Sequence, residues 1–112
     1  MKIHVLEEEK EYFYRAKLVT WQEAMDYGRE NDLALLDIDE LCEIPYNELM
    51  KIPGILVGYR VADGTFGYQW TNAHLWSSSE SGGIAWNRAL YSTEARAHRD
   101  RKSTRLNSSH RL

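Results

Sequence analysis

Residues 75–90 constrain the fold more than any other stretch. They read Leu-Trp-Ser-Ser-Ser-Glu-Ser-Gly-Gly-Ile-Ala-Trp-Asn-Arg-Ala-Leu, with two apolar, tryptophan-bearing runs on either side of a serine-rich connector ending in two glycines. Strand, tight loop, strand is the arrangement such a pattern encodes, because glycine supplies the backbone freedom that a short antiparallel connection needs. Upstream, Asp63-Gly64 punctuates two further β-rich runs, Ile55 to Arg60 and Thr65 to Trp70, and predicts a second hairpin. Downstream, Thr93 to Arg99 alternates again, with Ala95 and Ala97 on one face and Glu94, Arg96 and His98 on the other.

The first half carries helix signals. Thr20-Trp21-Gln22-Glu23 is a capping box, in which the Thr20 hydroxyl accepts from the third helical amide while Glu23 reaches back. Trp21, Ala24, Met25 and Tyr27 then fall on one side of the expected helix, and Gly28 with Asn31 weakens it near its end. Asp37 and Glu40 form a second box, and Leu36 with Leu41 is spaced as a hydrophobic staple, so another helix is expected from Ile38. Pro45 ends or kinks it; a further turn is expected over Glu48 to Ile52, stopped by Pro53-Gly54. Before the helices, Lys2 to Leu6 and Glu11 to Leu18 suggest an opening hairpin around an acidic turn. Strands, two short helices, then strands is an α+β order, and 112 residues accommodate one domain with one modest core.

The wording of the β-rich half resembles a known family. Gly58-Tyr59-Arg60, Asp63-Gly64-Thr65-Phe66, Trp76-Ser77-Ser78-Ser79-Glu80 and Ala85-Trp86-Asn87-Arg88 are similar to the FISUMP (major paralogous domain) family of bacterial surface-associated proteins. The Thr-Trp-Gln-Glu-Ala helix start is shared with the related Lcl C-terminal domains. The resemblance runs from about Val19 to Arg99 and implies a C-type-lectin-like fold, two short helices packed on small antiparallel sheets. It departs from the family at Leu33-Ala34-Leu35-Leu36, where members usually carry a Trp-Arg-Leu-Pro-like element, and in lacking the usual closing strand resembling Ser-Val-Arg-Cys-Val-Arg.

In place of that strand, the composition shifts at Asp100. Residues 100–112 have two leucines as their apolar content, and Asp100 through His110 back-translates codon for codon into a common sequencing-library adapter read in frame. The expectation is therefore a domain over residues 1–99, truncated at its C-terminus, followed by a non-native tail at 100–112 that stands outside the fold and leaves a sheet edge unpaired. Arg101, Lys102, Arg105 and Arg111 against Asp100 give that tail a charge of +3, so the −3 of the whole chain becomes −6 for residues 1–99. An acidic domain argues against nucleic acid as a partner, and no segment is long and apolar enough for membrane insertion.

No chemistry-bearing motif accompanies the fold signals. The single cysteine, Cys42, excludes an intramolecular disulfide and reads as a small buried hydrophobe in a helical pattern. His4, His74 and His98 are too far apart in sequence for a local metal motif, neither His74 nor His98 has the spacing of a catalytic base, and Glu80 with Glu94 is not a diagnostic carboxylate pair. Gly82-Gly83 and Gly64 with Gly67 belong to hairpins and not to a phosphate loop. Calcium-dependent lectins of the fold that this chain resembles use Trp-Asn-Asp; here Arg88 stands third and would repel a cation that wants six or more oxygens, so no metal and no cofactor is expected. Trp76 and Trp86 sit inside strand runs and are expected to anchor the core rather than stack on a ligand.

What remains is a recognition surface. Asn87, Arg88, Tyr91, Glu94, Arg96 and His98 are the candidate ligand-binding residues, on a rigid strand scaffold of the kind that presents polar and aromatic side chains to partners. The resemblance implies a non-catalytic module that binds a glycan or protein at a bacterial or phage surface. An enzyme of the formylglycine-generating kind on a related fold is the alternative, and a structural adhesin module a third. The sequence leaves the oligomeric state and the ligand's identity open.

Overall fold

The computed structural model describes residues 2–5, 10–52, 55, 58–60, 65–67, 72–91 and 95–111. Two capping boxes start the principal helices. Thr20 caps α1 (Trp21–Glu30) and Asp37 caps α2 (Ile38–Glu43), each with the reciprocal glutamate bond to the cap amide. Pro45 opens a third short helix, α3 (Tyr46–Met50), where the turn over Glu48 was expected; proline costs nothing at a helix start, since its missing donor would have had no partner. Among the described residues the architecture is a compact α+β domain, mostly sheet, with three short helices.

The strands are β1 (Lys2–Val5), β2 (Lys10–Val19), β3 (Ala34–Leu35), β4 (Tyr59–Arg60), β5 (Phe66–Gly67), β6 (Ala73–Ser81), β7 (Ile84–Leu90), β8 (Ala95–Arg101) and β9 (Leu106–Arg111). The opening hairpin forms as β1 against β2. β4 and β5 pair antiparallel in a small separate sheet, while the Asp63-Gly64 turn expected between them lies outside the described residues. The main sheet runs β1-β2-β9-β6-β7-β8, with β3 alongside β9. It is larger than the small antiparallel sheets expected, and mixed, because β6 and β9 run parallel.

Helices cover both faces of this sheet. Leu75 and Trp76 are consecutive on β6, so their side chains point to opposite faces. Leu75 belongs to a core with Leu41, Ile44, Leu49 and Leu90, which seats α2 and α3; Trp76 belongs to a second core with Trp21, Ala24, Val19 and Leu106, which seats α1. Two indole bonds tie α1's end of the sheet together: Trp76 Nε1–H donates to the Val19 carbonyl and Trp21 Nε1–H to the Ser77 carbonyl, each at 2.9 Å. Cys42, expected inside, is exposed, because on so short a helix Leu41 takes the sheet-facing position and its neighbour turns outward.

The serine run of the tryptophan hairpin is strand, not loop. The connection is Gly82-Gly83 alone, with Gly82 at φ 62, and the pairing of β6 with β7 slips between Trp76 and Glu80. Four steps along β6, from Trp76 to Glu80, face two steps of β7, Asn87 to Ala85, so the ladder cannot satisfy every backbone group. The serines do it. Ser77 Oγ–H donates to the Trp86 carbonyl (2.7 Å) and accepts from the Ser79 amide, while Ser79 Oγ accepts from the Ile38 amide (3.0 Å) and the Ser78 amide donates to the Leu36 carbonyl (2.8 Å).

The largest departure concerns residues 100–111, the described part of the expected tail. β8 continues through Asp100 and Arg101, and β9 lies in the interior of the sheet between β2 and β6, so the edge expected to be unpaired is filled. Leu106 joins the Trp76 core, but Asn107, Ser108, Ser109 and His110 are buried as well. A strand this polar is an unusual occupant of a sheet centre, and the fit shows it: among the described residues, Ser109 Oγ and His110 Nδ1 are buried and find no hydrogen-bond partner.

Candidate functional site

The exposed end of the sheet is β8, and a line of polar side chains crosses from it into the interior. Register fixes that line. On β7, Asn87 stands opposite Trp76 of β6 and His98 of β8, and Ala89 stands opposite His74 and Arg96, so His74, Asn87, Arg96 and His98 share one face. Asp100 follows two residues after His98 on the same face.

Bonding follows the same line. His74 Nδ1 lies 3.4 Å from Asn87 Oδ1, Asn87 Nδ2–H donates to Asp100 Oδ2 (2.9 Å), and Asp100 Oδ2 lies 3.5 Å from His98 Nδ1. The His74 and His98 rings meet edge-on with centroids 6.5 Å apart. Burial grades from 5% exposure at His74 and none at Asn87 to about half of the side chain at His98. Burial holds the His74 pKa below its ordinary value; the bond to Asn87 and the charge of Asp100 pull the other way, and His98 adds to the lowering. His74 is therefore neutral at physiological pH, and the network acts as an anchor that orients Asp100 and His98.

Two of the expected contact residues leave the surface. Asn87 is wholly buried and spends its amide on Asp100 and His74. Arg88 points to the opposite face, 7% exposed, where its guanidinium donates to the Leu41 carbonyl at 2.7 Å and to the Ile44 carbonyl, both at the end of α2. Its pKa is lowered by burial, with an opposing effect from Cys42. Both residues are structural, because strand alternation turns each into one of the two cores.

Tyr91, Arg96 and His98 do come together on the outer side. Tyr91 is half-buried, with its carbonyl accepting from the Tyr46 hydroxyl, and the Arg96 guanidinium lies 6.0 Å from the Tyr91 ring centroid. Arg96 and His98 are exposed, and Glu94 lies outside the described residues. The opposite face of β8 holds a group that sequence reasoning missed. Arg99 sits across from Trp86 with its guanidinium 5.1 Å from the indole centroid, and Arg101 sits across from Ile84. Trp76 is the core anchor expected, at 0% exposure, but Trp86 is only half-buried beneath Arg99. Alternation along 95–101 would have exposed this pairing had the strand not been divided at Arg99.

Chemically, this surface can hydrogen-bond, stack and attract anions. Glu80 is engaged by Lys102 at 2.7 Å. Among the described residues, no three His, Cys, Asp or Glu side chains gather as a metal site, and no helix is long and apolar enough to cross a membrane. A shallow depression of about 260 Å³ on the α1 side is lined by Arg15, Glu23, Asp26, Tyr27 and Glu30. Fold and surface define a compact α+β domain that presents one polar, cation-rich strand at the edge of its main sheet. A scan against protein-family models finds no match, and comparisons with curated proteins and with solved structures find none either.

Proposed function

We propose that this domain is a non-catalytic recognition module of C-type-lectin-like, FISUMP-related character, serving a bacterial or phage surface protein by binding a glycan or protein through Tyr91, Arg96 and His98. One observation carries the reading: exposed polar side chains stand on β8 while the part-buried Asn87–Asp100 bond holds the strand beneath them in place. A surface pre-organised in this way loses little entropy on binding. Nucleic acid is a poor match for a chain of net charge −3.

A screen against immobilised glycans and bacterial surface proteins tests this, using the full chain and a Tyr91→Ala, Arg96→Ala double variant. Ligands that bind the parent should be lost or weakened at least about tenfold in the variant, the scale expected for an aromatic and a cationic contact. Tryptophan fluorescence checks that the variant stays folded. Unchanged binding by a folded variant refutes the assignment of this surface.

A further inference from the structure

Resting on that reading, we propose that the ligand is an acidic, extended peptide segment that adds to the outer edge of β8 as a further strand, its side chains alternating between the Arg96 and His98 face and the Arg99 and Arg101 face. β8 is the terminal strand of the main sheet, and among the described residues it pairs with β7 alone. Every second residue of its seven therefore directs backbone N–H and C=O groups away from the sheet, the template that strand addition uses.

Charge decides what kind of strand fits. The chain as a whole is acidic, with 17 Asp and Glu against 14 Lys and Arg, yet β8 gathers Arg96, Arg99, Arg101 and His98. Its one carboxylate, Asp100, is turned to Asn87 and His98. Arg99 and Arg101 are two residues apart on one face, about 7 Å along the strand, which is the spacing of side chains i and i+2 on any strand laid beside them. Acidic residues at alternate positions of the added strand would fall opposite this pair. Stacking on Trp86 limits the freedom of the Arg99 guanidinium and leaves its N–H edge able to meet a carboxylate. The same cations repel a second copy of β8, so the edge is closed to self-association and open to an acidic partner.

The test measures fluorescence anisotropy of a labelled peptide, Thr-Glu-Val-Glu-Val-Glu-Val-Thr, with the full chain at low ionic strength. Three companions separate the causes: the same peptide N-methylated at four consecutive central amides, which removes donors from both strand edges, a version with lysine for glutamate, and a sulfated heparin oligosaccharide. Saturable binding of the acidic peptide is expected, with loss on N-methylation, loss with lysine, and weakening by about tenfold in an Arg99→Glu, Arg101→Glu variant. Should that variant unfold, Arg99→Gln with Arg101→Gln replaces it, with a weakening of about threefold expected. Equal binding of the N-methylated peptide overturns strand addition, as does binding of the oligosaccharide without the peptide. In either case, loss of screened ligands in the Tyr91, Arg96 variant would leave the broader recognition reading standing. No binding of any acidic probe overturns the proposal.

Discussion

Protonating His110 tests whether the last strand occupies the centre of the sheet in solution. The ring is wholly buried, 5.1 Å from the Tyr27 ring, with Nε2 2.9 Å from Ser108 Oγ and Nδ1 without a partner among the described residues. Burial, and secondarily the charge of Arg15, lower its pKa from 6.5 to about 4. A histidine kept neutral in the folded state while the unfolded chain takes up its proton contributes stability that is present above pH 6.5 and is lost as pH falls toward 4. That difference of about 2.5 units corresponds to roughly 3 kcal/mol at the low-pH limit, of which about 2 kcal/mol should be gone by about pH 5. Urea unfolding followed by tryptophan fluorescence, across pH 7.5 to 4.5, measures it in the parent and in His110→Gln. Carboxylates also lose stability in acid, so the readout is the gap between the two curves. Parent stability should fall more steeply, by about 2 kcal/mol between the ends of that range. Parallel curves would mean that His110 titrates as a solvated side chain and that residues 106–111 do not fill the slot between β2 and β6.

Two substitutions probe the helix contacts on either face. Gly28→Ala would place a Cβ 2.7 Å from the Leu33 carbonyl oxygen and 3.3 Å from His110 Nδ1, and should cost about 1–3 kcal/mol by urea unfolding, whereas helix propensity alone would make it stabilising. Arg88→Ala should cost about 2–4 kcal/mol by the same measurement, since it removes the guanidinium bonds to the Ile44 carbonyl and to the Leu41 carbonyl, which keeps only the Ile44 amide, and opens a cavity; a loss below about 0.5 kcal/mol would refute the role of that guanidinium.

Legibility tracked the range of the interactions. Both capping boxes, the Leu36–Leu41 staple and the glycine turn of the tryptophan hairpin are written within a few residues, and each is where the sequence places it. Sheet membership was not so written. Whether Asn87 and Arg88 face solvent depends on what covers each side of β7, and that is settled by α2 on one side and the Asp100 strand on the other. The serine run read as a loop because serine is common in turns, whereas here its hydroxyls repair a slipped ladder.

Residues 95–111 mark the division most clearly. Their polarity and codon pattern argued for a segment outside the domain, and no local signal in Leu106-Asn107-Ser108-Ser109-His110 announces a central strand. Short-range chemistry in the chain determined where helices begin, where the hairpin turns and that the order is α+β, since caps, staples and glycine turns act between near neighbours. Tertiary structure alone decided that β9 enters the sheet, that Asn87 and Arg88 are buried, and that Arg96, His98, Arg99 and Arg101 form the exposed edge. Strand register and layer packing join residues far apart in sequence, and a one-residue change in that register would reverse which side chains meet solvent.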